Sequence, residues 1–226
     1  MSHLVVVKLG GNAALESVPA VAQMARESRV CVVHGGGARI SAVARARGIE
    51  SRFVAGRRFT DQPMLACVRE GLGSVTAELC AALQAAGLVP LAFADGVVDA
   101  RRTPELGLVG EPRGARSAAI QVALGEGLVP VVGPLGTDEA GAIVNINADD
   151  AAAAIATALA ADELIFLSDV PGVLDEQGAV LSQISASRPP ASASGGMLPK
   201  LEACTTALLG GVARVSIGIA GTVVTP

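Results

Sequence analysis

The chain has 226 residues, 51% hydrophobic and 2% aromatic, with no Trp or Tyr and a formal net charge of −4 at pH 7. That is enough for one large α/β domain or two small lobes around an aliphatic core; the acidic balance and the lack of a basic run or stacking aromatics argue against a nucleic-acid partner. No stretch reaches the ~18 uninterrupted apolar residues of a membrane-spanning helix, and strand signal begins at Leu4, so neither a membrane span nor a signal peptide is expected.

Leu4–Val7 read as a strand buried on both faces. Lys8 stands where that strand should end, and Gly10 and Gly11 follow. A desolvated lysine is costly unless an anion meets it. Paired glycines let backbone N–H groups approach such an anion. The alternative is a lysine that reaches solvent from the strand tip while the glycines merely turn the chain.

Residues 17–28 read as a helix, with Ser17 as N-cap and Pro19 in the first turn. Val30–Val33 is a second buried strand, ending in His34 and three glycines. Residues 38–47 read as a helix closed by Gly48. This βαβα start predicts a parallel sheet with right-handed crossovers. Residues 52–61 read as an irregular or hairpin segment. Residues 63–86 read as a helix softened near Gly71 and Gly73, and 88–93 as a strand. Residues 94–116 suggest short antiparallel strands, 118–125 a helix and 128–132 a strand followed by a glycine loop at 133–136. Ile143–Ile146 is a short strand, 149–161 an alanine-rich helix and 163–167 a strand. Residues 186–196 read as a mobile loop, 199–209 as a helix, and 214–217 and 222–224 as the last strands. Cys31, Cys67, Cys80 and Cys204 are scattered, with no metal-ligand spacing, and read as free thiols in a reducing cytoplasm.

Glycine loops follow strands at 10–11, 35–37, 133–136 and 172. In a parallel sheet, ligands bind outside the carboxyl ends of the strands. The loops therefore suggest a phosphate or nucleotide site, although neither the dinucleotide fingerprint nor the P-loop pattern occurs. Asn145 and Asn147 alternate onto one side of an extended segment. They face one ligand, or Asn147 or Asp149 simply caps the next helix. Lys200 lies at a helix start, where a cation opposes the helix dipole unless an anion is present. Two lysines on one phosphate, held apart by an aspartate, would suit phosphoryl transfer. Arg57 and Arg58 are either carboxylate-binding or surface arginines. His34 reads as a brace for its glycine loop or as a general base.

The ordered segments VVVKLGGN, VVHGGG, GRRFTD, LGLVG, VVGPLG, NINADDAAAAIA, LSDVPGVLD and GGMLPKLEA resemble the amino acid kinase family, and within it the acetylglutamate kinases. The resemblance covers nearly the whole chain. It implies an open three-layer αβα sandwich of about eight strands with a mainly parallel central sheet. An acyl-substrate lobe is expected over residues 1–136 and an ATP-binding lobe over 137–226. The implied reaction is ATP-dependent phosphorylation of the side-chain carboxylate of N-acetyl-L-glutamate, in arginine biosynthesis, with Mg²⁺ held mainly by the phosphates. Alternatives are a kinase of an N-acylated α-aminoadipate in lysine biosynthesis and a catalytically weak nucleotide-sensing homologue.

By the same resemblance, Lys8 and Lys200 would stabilise the transferring phosphoryl group and Asp149 would orient them. Gly10 and Gly11 would offer N–H groups to the phosphates, and Gly36 and Gly37 to the acyl substrate. Arg58 would bind the substrate's α-carboxylate, with Asn145 and Asn147 on its other side. Asp169, Val170, Gly172, Leu174 and Ser194 would contact the nucleotide. No protein-bound metal is expected. The early start of the first strand leaves no preceding helix of the kind that builds arginine-sensing hexamers, so a homodimer without arginine feedback is expected. The chain departs from the family pattern at Leu91–Gly96, over 182–196, and in the short passage from Ile217 to Gly221.

Overall fold

β1 (Leu4–Leu9) is followed by α1 (Val18–Met24), β2 (Arg29–His34) and α2 (Gly37–Ala46). The structure is a computed structural model and describes residues 3–10, 14–54, 56–93, 95–167, 170–188, 190, 192, 195–219 and 221–225. A small hairpin comes next, β3 (Phe53–Val54) and β4 (Arg57–Arg58), and then the long helix α3 (Gln62–Ala85). β5 (Pro90–Phe93), β6 (Val98–Arg102) and β7 (Val109–Ala115) lead to α4 (Ala118–Gly125) and β8 (Val129–Val132). β9 (Leu135–Thr137) and β10 (Ile143–Ile146) precede α5 (Ala148–Ala158) and β11 (Glu163–Leu167). The chain ends with β12 (Gln183–Ser185), α6 (Met197–Leu209), β13 (Arg214–Ile217) and β14 (Thr222–Thr225).

Eight strands form one sheet in the order β12-β14-β13-β11-β1-β2-β8-β5. The pairings from β5 to β13 are parallel. Only the contact of β14 with β13 is antiparallel. The continuous Val and Leu runs of the inner strands suit this arrangement, because helices cover both faces. Val5, Val7 and Leu9 pack with Val21 of α1 and with Leu79 and Leu83 of α3. Leu4 and Val6 join a second cluster with Ile120 of α4, Ile155 of α5 and Cys204 of α6. The two-residue alternation of a strand therefore sends Lys8 to the side of Leu4 and Val6, toward α5 and α6.

Strands β10, β7, β6 and β9 close into a small barrel, and β3 and β4 pair as a separate hairpin. Val98, Ala100, Val144 and Ile146 pack this barrel into the α5 side of the core. Two expectations change. Residues 135 and 136 of the anticipated glycine loop belong to β9. α3 runs unbroken for 24 residues from the Asp61 cap, whose Oδ1 accepts the Met64 N–H at 2.9 Å. Gly71 does not soften it. A Cβ at residue 71 would lie 2.9 Å from the Ile40 Cα, so the glycine lets α2 cross α3 at close range. That contact offsets the ~1 kcal/mol a mid-helix glycine costs.

Candidate active site

Lys8, Asp149 and Lys200 meet on the α5 side of the sheet. Asp149 is the second residue of α5, and Asn147 caps that helix: its Oδ1 accepts the N–H of Asp149 at 2.8 Å and of Asp150 at 3.3 Å. Lys8 Nζ lies 2.7 Å from Asp149 Oδ1. Lys200, in the first turn of α6, places its Nζ 3.2 Å from Oδ1 and 3.1 Å from Oδ2 of the same carboxylate. The Lys200 ammonium also stands 5.0 Å from the Phe166 ring centroid. All three residues are buried, with 7%, 9% and 6% of their surface exposed.

Two ammonium groups thus share one carboxylate away from water. Burial alone would raise the Asp149 carboxyl, but the charges and hydrogen bonds of Lys8 and Lys200 outweigh it and hold the group below the ordinary aspartate value. Burial, followed by repulsion from Lys8, pushes the Lys200 ammonium below the usual lysine value, and Asp149 restores only part of it. A buried cluster with excess positive charge is a costly arrangement unless an anion completes it. Asp149 is also too weak a base to collect a proton at neutral pH. Its place between the lysines suits it to hold them in position.

Gly10 belongs to this cluster in a different way from the one expected. Its N–H donates to Leu167 O at 2.9 Å and is not offered to a phosphate. A Cβ at residue 10 would lie 2.7 Å from Lys8 Nζ, so the glycine leaves room for the ammonium. Gly11, Asp169 and Ser194 lie outside the described residues.

A cavity of about 250 Å³ adjoins the cluster. Lys8 and Asp149 line it, as do Gly35–Gly37, the two asparagines and Arg58, with Ile40 and Leu72 as apolar wall; Lys200 does not. Gly36 is the N-cap of α2, so the unpaired N–H groups of that helix start belong to the cavity's rim. Arg58 is buried and held by three bonds: Nη1 to Ser51 Oγ at 2.5 Å, and Nη2 to Ser41 Oγ at 2.9 Å and to Gly37 O at 3.2 Å. These use three of its five N–H donors, and the rest suit a carboxylate. The Phe53 ring centroid lies 4.7 Å from the guanidinium carbon.

Asn145 and Asn147 both line the cavity, as their alternation predicts, but each amide is partly committed. Asn145 Nδ2 donates to Thr60 Oγ1 at 3.1 Å, and Asn147 Oδ1 is the helix cap. The ligand-facing and capping readings of Asn147 therefore hold together. Sequence reading missed Thr60. It is fully buried, and its hydroxyl also donates to Arg58 O at 2.9 Å, so one side chain fixes both Arg58 and Asn145. The signal was a lone Thr beside two arginines, and its second partner is 85 residues away.

His34 braces its loop. Nδ1 lies 2.9 Å from Gly35 O and Nε2 2.8 Å from Thr76 Oγ1, and burial pushes the imidazole down toward its neutral form. Val170, Gly172 and Leu174 lie in the segment between β11 and β12, where Leu174 bridges to Val180. Gly172 is explained by packing, since a Cβ there would lie 2.7 Å from Val180 and 2.8 Å from Thr222. Thr222 Oγ1 also accepts the Val173 N–H at 2.7 Å. Gly218 and Gly221, between β13 and β14, are seated against the same segment: a Cβ at Gly218, whose φ is +84°, or at Gly221 would overlap Pro171 O.

The chain is similar to known proteins over nearly its whole length. An acetylglutamate kinase from Rubrobacter xylanophilus is 42% identical over 228 residues, which is 95% of this chain and 88% of that protein. One from Koribacter versatilis is 40% identical over 233 residues, 94% of this chain and 89% of that protein. The crystal structure of smu.665 from Streptococcus mutans UA159 superposes with a TM-score of 0.88 at 29% identity, covering 100% of this chain and 99% of that one. Residues 3–218 match the amino acid kinase family as a whole. With that match and the mainly parallel sheet, this chain belongs to the amino acid kinase family.

Proposed function

We propose that this chain transfers the γ-phosphoryl group of ATP to the side-chain carboxylate of N-acetyl-L-glutamate, giving N-acetyl-L-glutamyl 5-phosphate for arginine biosynthesis. The observation that carries the reading is the Lys8–Asp149–Lys200 cluster beside a small cavity containing a buried arginine. The acetylglutamate kinases at about 40% identity support the choice of acceptor.

The acceptor carboxylate is ionised at neutral pH, with a reference pKa of ~4.3, so its attack needs no general base. One of its oxygens bonds to the γ-phosphorus while the bond from that phosphorus to the β–γ bridging oxygen breaks, and ADP leaves with the electron pair. No phospho-enzyme forms. Lys8 and Lys200 neutralise charge on the transferring group, and Asp149 keeps them correctly spaced. Arg58 takes the α-carboxylate, Asn145 and Asn147 the remaining polar groups, and the N–H groups at Gly36 and Gly37 the acyl side.

The segment carrying Val170, Gly172 and Leu174, together with Asp169 and Ser194, contributes to the nucleotide side in this reading. Gly11 serves the phosphates. Among the described residues no group of three or more His, Cys, Asp or Glu is placed to hold a metal. In this reading the Mg²⁺ that accompanies ATP would be held mainly by the phosphates, with the lysines neutralising the charge that remains. The acceptor lobe is built by the first half of the chain and completed by β10, and the nucleotide lobe by the remainder.

We read the assembly as a homodimer. The edge strand β5 leaves Leu91 41% exposed, with Val89 beside it at 59%. The four free cysteines suit a reducing cytoplasm, and no helix among the described residues is long and apolar enough to cross a membrane.

A hydroxylamine trap tests the reaction, because acyl phosphates yield hydroxamates. The enzyme with MgATP should form hydroxamate fastest with N-acetyl-L-glutamate, and far more slowly with N-acetyl-α-aminoadipate, glutamate or aspartate. Faster reaction with the aminoadipate replaces the proposed acceptor. No hydroxamate from any of the four overturns the reading.

A further inference from the structure

The β3–β4 arm, which carries Arg58, is slender. Among the described residues its two strands pair only with each other, and Phe53 and Val54 are 54% and 46% exposed. Arg57 ties it to the body of the protein. Arg57 Nη2 donates to Asp150 Oδ2 at 3.1 Å, and Nη1 lies 3.7 Å from Glu111 Oε1. Asp150 is on α5 beside Asp149, and Glu111 is on β7. Arg57 lines both the acceptor cavity and a neighbouring groove of about 570 Å³ between β7, α5 and α6, so it forms the partition between them.

We propose that the Arg57–Asp150 ion pair is a latch that seats the arm on α5, making both residues positioning residues for the acceptor. This rests on the reading of the cavity as the acceptor site. The latch joins the segment that presents Arg58 to the helix that presents Asp149, across 93 residues of sequence. Its members are mostly buried, with side chains 29% and 19% exposed, which separates it from surface pairs such as Arg39–Glu78.

The surroundings of Asp150 point the same way. Burial raises its carboxyl to about 6; Arg57 opposes the rise, while Asp149 on its own helix, Glu202 of α6 and Glu111 of β7 add to it. Glu111 is itself paired with Arg101. A carboxyl raised above its unfolded value binds its proton more tightly in the folded protein. Stability therefore falls as pH rises from about 4 to about 6. Ionised Asp150 costs the fold stability at neutral pH, which suits a residue kept for what its charge holds.

The test compares Arg57→Met, Asp150→Asn and the double variant with the unaltered enzyme at pH 7.5. Each single change should raise the KM for N-acetyl-L-glutamate about three- to tenfold, with the KM for ATP unchanged. The double variant should be no worse than the weaker single. Asp150→Asn should melt no lower than the unaltered protein, which a purely structural role would not allow. Without substrate, hydrogen–deuterium exchange at residues 52–59 should quicken in both single variants. Unchanged exchange overturns the latch whether or not the chain proves to be an acetylglutamate kinase. So does a lower acceptor KM in Asp150→Asn, because it means that freed Arg57 binds the acceptor directly, and so do additive effects in the double variant. An enzyme that makes no hydroxamate, yet shows the quickened exchange, loses the functional reading and keeps the latch.

Discussion

Lys8 Nζ and Asp149 Oδ1 lie 2.7 Å apart, joining the central strand of the sheet to the first turn of α5. Asp149 also holds Lys200, so the pair fixes the position of two cations at once. Removing Lys8 takes away charge stabilisation in the transition state, where one such donor is worth about 10²–10³ in rate. Lys8→Ala should lower kcat by about that factor with little change in circular dichroism. Near-normal turnover in this variant would remove Lys8 from the mechanism.

Gly10→Ala tests the same ammonium without touching it. The added Cβ would stand 2.7 Å from Lys8 Nζ, the far end of a flexible side chain that can move aside. Because the ammonium can swing aside, the fold should lose only about 1 kcal/mol, the central tendency for a single substitution. kcat should fall at least tenfold, because small misplacements of a catalytic group are costly. Equal losses in stability and activity would mean that residue 10 serves only the turn.

Thr60→Val removes the hydroxyl that links Arg58 O and Asn145 Nδ2. Leaving a buried polar group unpaired costs about 1–3 kcal/mol. The acceptor KM should therefore rise about tenfold, while the KM for ATP stays constant. A change confined to the KM for ATP would place Thr60 on the wrong side of the site.

The Lys200 ammonium is held below the ordinary lysine value, first by burial and then by Lys8. A lowered amine pKa means the charged form is lost as pH rises through a value beneath the usual ~10.4. The profile of kcat/KM, which reports the free enzyme, should show an alkaline limb in that range. Lys200→Arg should lack the limb, since a guanidinium stays charged. A limb that persists in Lys200→Arg belongs to another group.

Much of the scaffold was legible in local patterns. The run Leu4–Val7 announced a doubly covered strand, and it is part of β1 near the middle of the sheet. The Asn145–Ile146–Asn147 alternation placed both asparagines on the cavity. Glycines were read less well, because a glycine signals a missing side chain without saying what fills the space. Gly71 serves a helix crossing, Gly172 the packing of β14, and Gly10 the Lys8 ammonium.

The sequence by itself determined the inner strands, where they end, and the mainly parallel architecture. Each follows from burial and periodicity within a dozen residues. Only the tertiary structure decided who meets whom. Asp149 and Lys200 are 51 positions apart, Asn145 and Thr60 are 85, and Asp150 and Arg57 are 93. Such partners are chosen by strand order and helix placement, which depend on the whole core closing at once, so no local run of residues encodes them.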